Sequence, residues 1–254
     1  MVADDGISAS VAFSAAEAAS AATAAVLGST PVSVHVEKLT ATDSGVCTQI
    51  AAVHRLNERF AACRTYEAAT QLAGELSDAA LCQALINLLV DADALVELVV
   101  QLMGNLCLHD KGVHGLQRAG AFPVVVAALR ADEPLVRITG LNLLVVLAER
   151  KQMIVPLIKA GVIKLLCFLG KGMEACHWQQ VLEIAESLLA MPFAVPERQR
   201  QQLRDMLGAA AKAHKASKEQ GKGGLPLDAR RLSRLLIVLR ALNMAVPSEK
   251  PKRR

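Results

Sequence analysis

The pentapeptide Arg118-Ala119-Gly120-Ala121-Phe122 returns 41 residues later as Lys159-Ala160-Gly161-Val162-Ile163. Asn105-Leu106-Cys107, Val146-Leu147-Ala148 and Ser187-Leu188-Leu189 keep the same offset, and the apolar blocks Val124–Leu129 and Leu165–Leu169 coincide. An upstream unit, Ala80–Val90 followed by Ala94–Leu106, fits with a one-residue slip. A fixed period of this length marks stacked supersecondary units, each too small to bury its apolar face alone.

The unit is helical. Apolar residues make up 53% of the 254 residues and aromatic ones only 3%, with Ala and Leu abundant. Such residues lose little on entering a helix, whereas strands favour β-branched and aromatic side chains. The middle unit divides into helices near Lys111–Ala119, Phe122–Ala131 and Pro134–Arg150. Gly120 supplies a tight turn, and Asp132-Glu133-Pro134 supplies a cap followed by proline in the first turn. Upstream, Val46, Ile50, Val53, Leu56 and Phe60 recur at helical spacing, and a second helix spans Thr65–Leu76. Ser77-Asp78 offers a cap for Ala79–Val90, and Asp93 offers one for Ala94–Leu108.

The repeat array is placed at 44–191. Residues 1–43 are an Ala/Ser-rich arm with a weak helix at Ala9–Leu27 and a short extended piece at Pro31–Val36. Residues 192–245 are basic helices. The first is polar and runs from Glu197 to Lys218. A loop at Gln220–Gly224 follows, and Asp228–Met244 carries Leu232, Leu235, Leu236, Leu239 and Leu242 on one side. The last helix is expected to close the array, because terminal repeats need an atypical outer face. Residues 246–254 are a basic tail.

Several function classes fall away. No apolar stretch reaches the ~20 residues that span a bilayer. The N-terminus lacks the basic start and apolar core of a secretory signal, and Asp4, Asp5 and Glu17 make it a poor mitochondrial presequence. The six cysteines form no Cys-x-x-Cys pair, which points to a reducing intracellular compartment, the cytoplasm first. Cys176-His177 point apart on a helix, and His109 and His114 lack partners at metal-ligand spacing, so no metal site is expected. Gly170-Lys171-Gly172 and Gly221-Lys222-Gly223-Gly224 do not complete a phosphate loop. No nucleophile elbow, metalloprotease helix or dinucleotide fingerprint is present, so neither catalysis, a cofactor nor a small-molecule substrate is expected. Glu183 and Glu186 are assigned to a solvated helix face, and Trp178 to the core.

The Gly120-Ala121-Phe122 and Gly161-Val162-Ile163 turns, each with an apolar second helix, together with Asn105-Leu106-Cys107 closing a long third helix, resemble the armadillo repeat family. HEAT-type repeats are the near neighbour. The resemblance covers residues 80–190 best. It implies a right-handed α-solenoid whose third helices line a concave groove for extended peptides or partner helices. The groove asparagines of that family correspond to Asn105, Val146 and Ser187. The tryptophans of nuclear-import adaptors correspond to Gln101, Asn142 and Glu183, none of them Trp. Capture of nuclear signals in the import-adaptor manner is therefore not implied.

Helical spacing points to the same strips. Glu97, Gln101 and Asn105 share one face, as do Gln179, Glu183 and Ser187, opposite Leu98, Leu102, Leu106 and Ile184, Leu188. These strips are either solvated surface or a polar groove. Charge adds a second candidate surface. Residues 195–254 hold 15 Lys/Arg against 5 Asp/Glu, and residues 1–194 hold 13 against 19. The basic patch comprises Arg198, Arg200, Arg204, Lys212, Lys215, Arg230, Arg231 and Arg234. No aromatic residue lies beyond Val195 to stack on bases. The leading expectation is a non-catalytic protein–protein scaffold or adaptor, as a subunit of a larger assembly. The alternatives are an armadillo-type nucleotide-exchange factor of an Hsp70-class chaperone and a backbone-directed RNA-binding component.

Overall fold

The computed structural model describes residues 31–41, 44–91, 95–130, 133–170, 177–191 and 194–220, with residues 234, 237, 238 and 240 beyond them. In chain order the helices are α1 (Val32–Thr40), α2 (Val46–Ala62), α3 (Tyr66–Leu76), α4 (Ala79–Asp91), α5 (Val96–Leu106), α6 (Asp110–Arg118), α7 (Ala121–Ala128), α8 (Pro134–Ala148), α9 (Ile154–Ala160), α10 (Val162–Leu169), α11 (Trp178–Leu189) and α12 (Glu197–Gln220). A 3-10 turn at Lys151–Met153 precedes α9. No strand occurs among the described residues.

Local chemistry sets the boundaries. Thr65 is extended, and its hydroxyl accepts from the Ala68 amide at 3.2 Å, satisfying one of the orphan donors that open α3. His109 plays the same part for α6: its ring Nδ1 accepts from the Lys111 amide at 3.1 Å. Pro134 begins α8, where its missing N–H costs nothing. Gly120 and Gly161 have φ of +78° and +91° and turn α6 into α7 and α9 into α10. Nothing crowds either Cα, so their requirement is conformational rather than steric.

Packing then assembles the helices into a stack of three-helix units. The third helices α2, α5, α8 and α11 lie side by side in that order, each against the next. The second helices α1, α4 and α7 form a parallel row, and α12 packs on α10 in the same manner. α3, α6 and α9 close the edges. α4 shows why the stack is obligatory. Leu81, Cys82, Leu85, Ile86, Leu88 and Leu89 are all buried, and they meet α1, α5, α6 and α7 at once. Between α5 and α8, Leu102, Met103, Leu106, Leu141 and Leu144 are essentially inaccessible. Trp178 is buried at the start of α11, in the core role expected of it.

Four expectations change. Pro31–Val36 is helical rather than extended, because residues 32–40 form α1. Alternating valines favour a strand locally, but Val32, His35, Val36 and Leu39 also lie at helical spacing, and burying them against α2 and α4 decides the matter. The packed stack therefore begins before the boundary set at residue 44. α12 is amphipathic rather than simply polar, with Leu203 and Leu207 fully buried. α5 begins at Val96 rather than Ala94. The expected helix at Ala9–Leu27, the Asp93 cap, the glycines of the 220–224 loop and the 246–254 tail lie outside the described residues, as does most of Asp228–Met244. Within that last segment, residues 234, 237, 238 and 240 are helical and Val238 is buried.

The turn glycines give a direct test. Gly120→Ala and Gly161→Ala should each cost about 1–2 kcal/mol, the penalty of a left-handed conformation for a residue with a Cβ. Asparagine at either position should cost less. Urea denaturation of the single variants measures both.

Candidate partner-binding surface

The predicted groove residues lie on three successive third helices that pack side by side. Along α5 run Glu97, Gln101 and Asn105, along α8 Asn142 and Val146, and along α11 Gln179, Glu183 and Ser187. Gln101, Asn142 and Gln179 are exposed, and the other five are half-buried. The surface is laced by its own hydrogen bonds. Gln180 donates to the Asn142 side-chain oxygen at 3.3 Å, joining α11 to α8. Gln179 donates to Glu183 at 3.2 Å within α11. Asn105 donates from Nδ2 to Asn57 Oδ1 at 3.1 Å, and Asn57 donates in turn to the Leu98 carbonyl at 2.9 Å.

Asn57 is a bridging position between α2 and α5 that the apolar pattern does not reveal. It is 7% exposed on α2, beside Leu56 and Phe60, and reads there as an interruption of an apolar stripe. A buried amide must find partners, and Asn57 takes two from α5. The detectable signal was the asparagine itself, one helical turn short of Phe60 on a core-facing side. Arg150 is a second such position. It follows α8 and reaches back to pair with the Asp110 carboxylate of α6 and donate to the Cys107 carbonyl. Only the fold brings residues 40 and 43 positions apart within reach.

The acidic end of the ladder is not freely solvated, contrary to the assignment of Glu183 and Glu186 to a solvated face. Arg234 pairs with Glu183 through Nη1 at 2.8 Å and with Glu186 through Nε at 2.7 Å. A residue expected in the basic patch thus sits on a residue expected in the groove. One planar guanidinium spans both carboxylates because they are three apart on one helix face.

The remaining basic-patch residues are dispersed. Arg198 and Lys212 are exposed on α12, about 21 Å apart at the helical rise of 1.5 Å per residue. Arg200 pairs with Glu197, and Arg204 donates to Gln201, both within α12. Lys215 lies in α12 with its side chain outside the described set, as are Arg230 and Arg231. His109 caps α6, and His114 Nδ1 meets the Asp110 carbonyl at 2.7 Å. Among the described residues no three His, Cys, Asp or Glu side chains gather as metal ligands would.

The thiols divide by burial. Desolvation pushes Cys82 up to about 11 and Cys107 up to about 12, with neighbouring Arg150 opposing the rise at Cys107 only in part. Both stay protonated far above neutral pH and are closed to reagents, whereas Cys47 is exposed. Mass spectrometry after a pulse of thiol reagent at pH 8 should find Cys47 modified in the native protein. Cys82 and Cys107 should react only once denaturant is added. The asparagine bridge has its own test. A double-mutant cycle of Asn57→Ala and Asn105→Ala should show a coupling of about 0.5–1.5 kcal/mol. Asn57→Ala should be the costlier single change, because it also loses the bond to Leu98.

No family model and no curated protein matches the sequence. Solved structures do. A computationally designed armadillo repeat protein for modular peptide recognition superimposes with a TM-score of 0.61 at 18% identity, over 82% of this chain and 80% of the other. A second designed armadillo repeat protein gives 0.54 at 18% identity, over 84% of this chain and 100% of its own length. A third, in complex with the peptide (KR)4, gives 0.56 at 15% identity, over 84% and 100%. Likeness at this level of identity concerns the backbone. The 41-residue period, the glycine turns and the side-by-side third helices give this chain the fold of an armadillo repeat solenoid.

Proposed function

We propose that the protein is a non-catalytic protein–protein interaction scaffold, holding an extended segment of a partner along the ladder α2–α5–α8–α11. The observation that carries this reading is the row of exposed amides Gln101, Asn142 and Gln179 on three successive third helices. Side-chain amides both donate and accept, so a row of them can satisfy the backbone of a bound extended chain. The solved structures of like fold include one described as designed for peptide recognition and one described in complex with a peptide, which supports the same use of the surface. Free cysteines fit a reducing intracellular compartment, and a place as a subunit of a larger assembly completes the proposal. The RNA-binding reading has less support, because Arg200, Arg204 and Arg234 are engaged within the chain.

The test is cross-linking mass spectrometry of the tagged full chain purified with its partners. Cross-links should map to the ladder, and Gln101→Arg with Asn142→Arg should reduce partner retention about tenfold, the effect of losing roughly 1.4 kcal/mol. Lys164→Glu, on α10, should leave retention unchanged. Purification as a partner-free monomer, or retention indifferent to the ladder variants, would overturn the scaffold reading.

A further inference from the structure

A separate pocket opens between α1 and α2, away from the amide row. It encloses about 400 Å³, is open to solvent, and is lined by His35 and Lys38 of α1 and by Cys47, Thr48, Ala51 and Arg55 of α2. We propose that this pocket binds a phosphate-type oxyanion. It uses none of the groove residues, so its fate does not depend on the scaffold reading.

Three observations converge. The first is charge. Lys38 and Arg55 stand on opposite helices around the pocket, with Arg59 one turn beyond Arg55. Glu58 is the nearby carboxylate. It pairs with Arg55 Nη1 at 2.9 Å and with His54 Nδ1 at 3.2 Å, so a bound oxyanion shares the Arg55 guanidinium with Glu58. Glu37 of α1 lies on another face and lines a different hollow with Glu75. On α1, Lys38 thus lines this pocket and Glu37 the other hollow.

The second observation is the start of α2. This helix is 17 residues long, follows Gly45 without a side-chain cap, and has no acidic residue in its first turn. The Thr48 amide bonds the Gly45 carbonyl at 2.8 Å, and the positive end of the helix dipole lies where Cys47 and Thr48 line the pocket. Thr48 adds a hydroxyl donor.

The third is His35. It is only 9% exposed yet forms part of the pocket wall. Burial, then Arg59, Lys38 and Arg55, hold its pKa below the ordinary value of 6.5. The ring is neutral at pH 7, and the field that keeps it so is one an anion would relieve. A tetrahedral oxyanion fits this set better than a carboxylate. Its acceptors point several ways at once, toward an ammonium, a forked guanidinium, a hydroxyl and the start of a helix.

The experiment titrates the full chain with inorganic phosphate, with a short phosphoserine peptide and with its unphosphorylated twin. Calorimetry reads affinity, and the His35 ring resonance, assigned through His35→Gln, reads location. Phosphate-bearing probes should bind and shift His35, and the unphosphorylated peptide should not. Lys38→Gln and Arg55→Gln should each weaken binding about tenfold, as expected for one charge-assisted hydrogen bond. Lys164→Gln should bind as the parent does. Unchanged thermal melts would show that the exposed substitutions leave the fold intact. Tighter binding of the phosphoserine peptide than of phosphate identifies a phosphorylated protein segment as the source, and equal or weaker binding identifies a small phosphate compound. Both results support the site. Absence of phosphate binding, a His35 resonance that does not move, or equal affinity in the Lys38 and Arg55 variants would overturn it.

Discussion

Burial of apolar surface between successive third helices is the interaction on which the rest of the structure depends. Each unit is too thin to enclose its own core. α5 presents Val99, Val100, Leu102, Met103 and Leu106, and it meets α2 on one side and α8 on the other. α4 does the same in the second row. The driving force is non-directional and scales with area removed from water, so a unit is stable only while its neighbours are in place. Among the described residues, α12 covers α10 with Leu203 and Leu207, and Val238 joins the same core. On α1, Leu39 is buried inward while His35 and Lys38 line an open pocket.

Polar contacts give the stack a fixed register, which hydrophobic burial alone does not impose. Asn57 ties α2 to α5, Gln180 ties α11 to α8, and Arg150 ties the end of α8 back to α5 and α6. Their directional geometry tolerates little sliding. The arrangement also limits what the ladder surface offers. Asn105 lends its donor to Asn57, and Glu183 and Glu186 are shared with Arg234. On α5, α8 and α11 the exposed residues of the predicted strips are the amides Gln101, Asn142 and Gln179. That favours recognition of a chain's backbone over recognition of charge, in keeping with the proposed scaffold role.

The helical unit, its period and the two glycine turns were legible from residues alone, because each depends on local chemistry. Gly120 and Gly161 mark positive φ, Pro134 marks a helix start, and apolar residues at spacings of three and four mark a buried face. α6 to α8 lie within one to three residues of their expected bounds. α1 departs from the extended expectation because Val32, Val34 and Val36 satisfy a strand pattern as well as a helical one, and the choice lies with α2 and α4. The predicted strips fall on adjoining helices α5, α8 and α11, but the partners of their residues could not be read. Asn57 stands 48 residues from Asn105, and Arg234 stands 51 from Glu183.

Sequence by itself determined that this chain is a helical repeat array, since periodicity and turn residues act within a few positions of one another. Tertiary structure alone decided which polar groups remain free. Whether Asn105, Glu183 or Arg234 faces a partner depends on what stands beside it in the next unit. The same holds for the pocket, where Lys38 and Arg55 come together only because α1 packs on α2. Contacts between units join residues tens of positions apart, and no local pattern encodes which of those residues will meet.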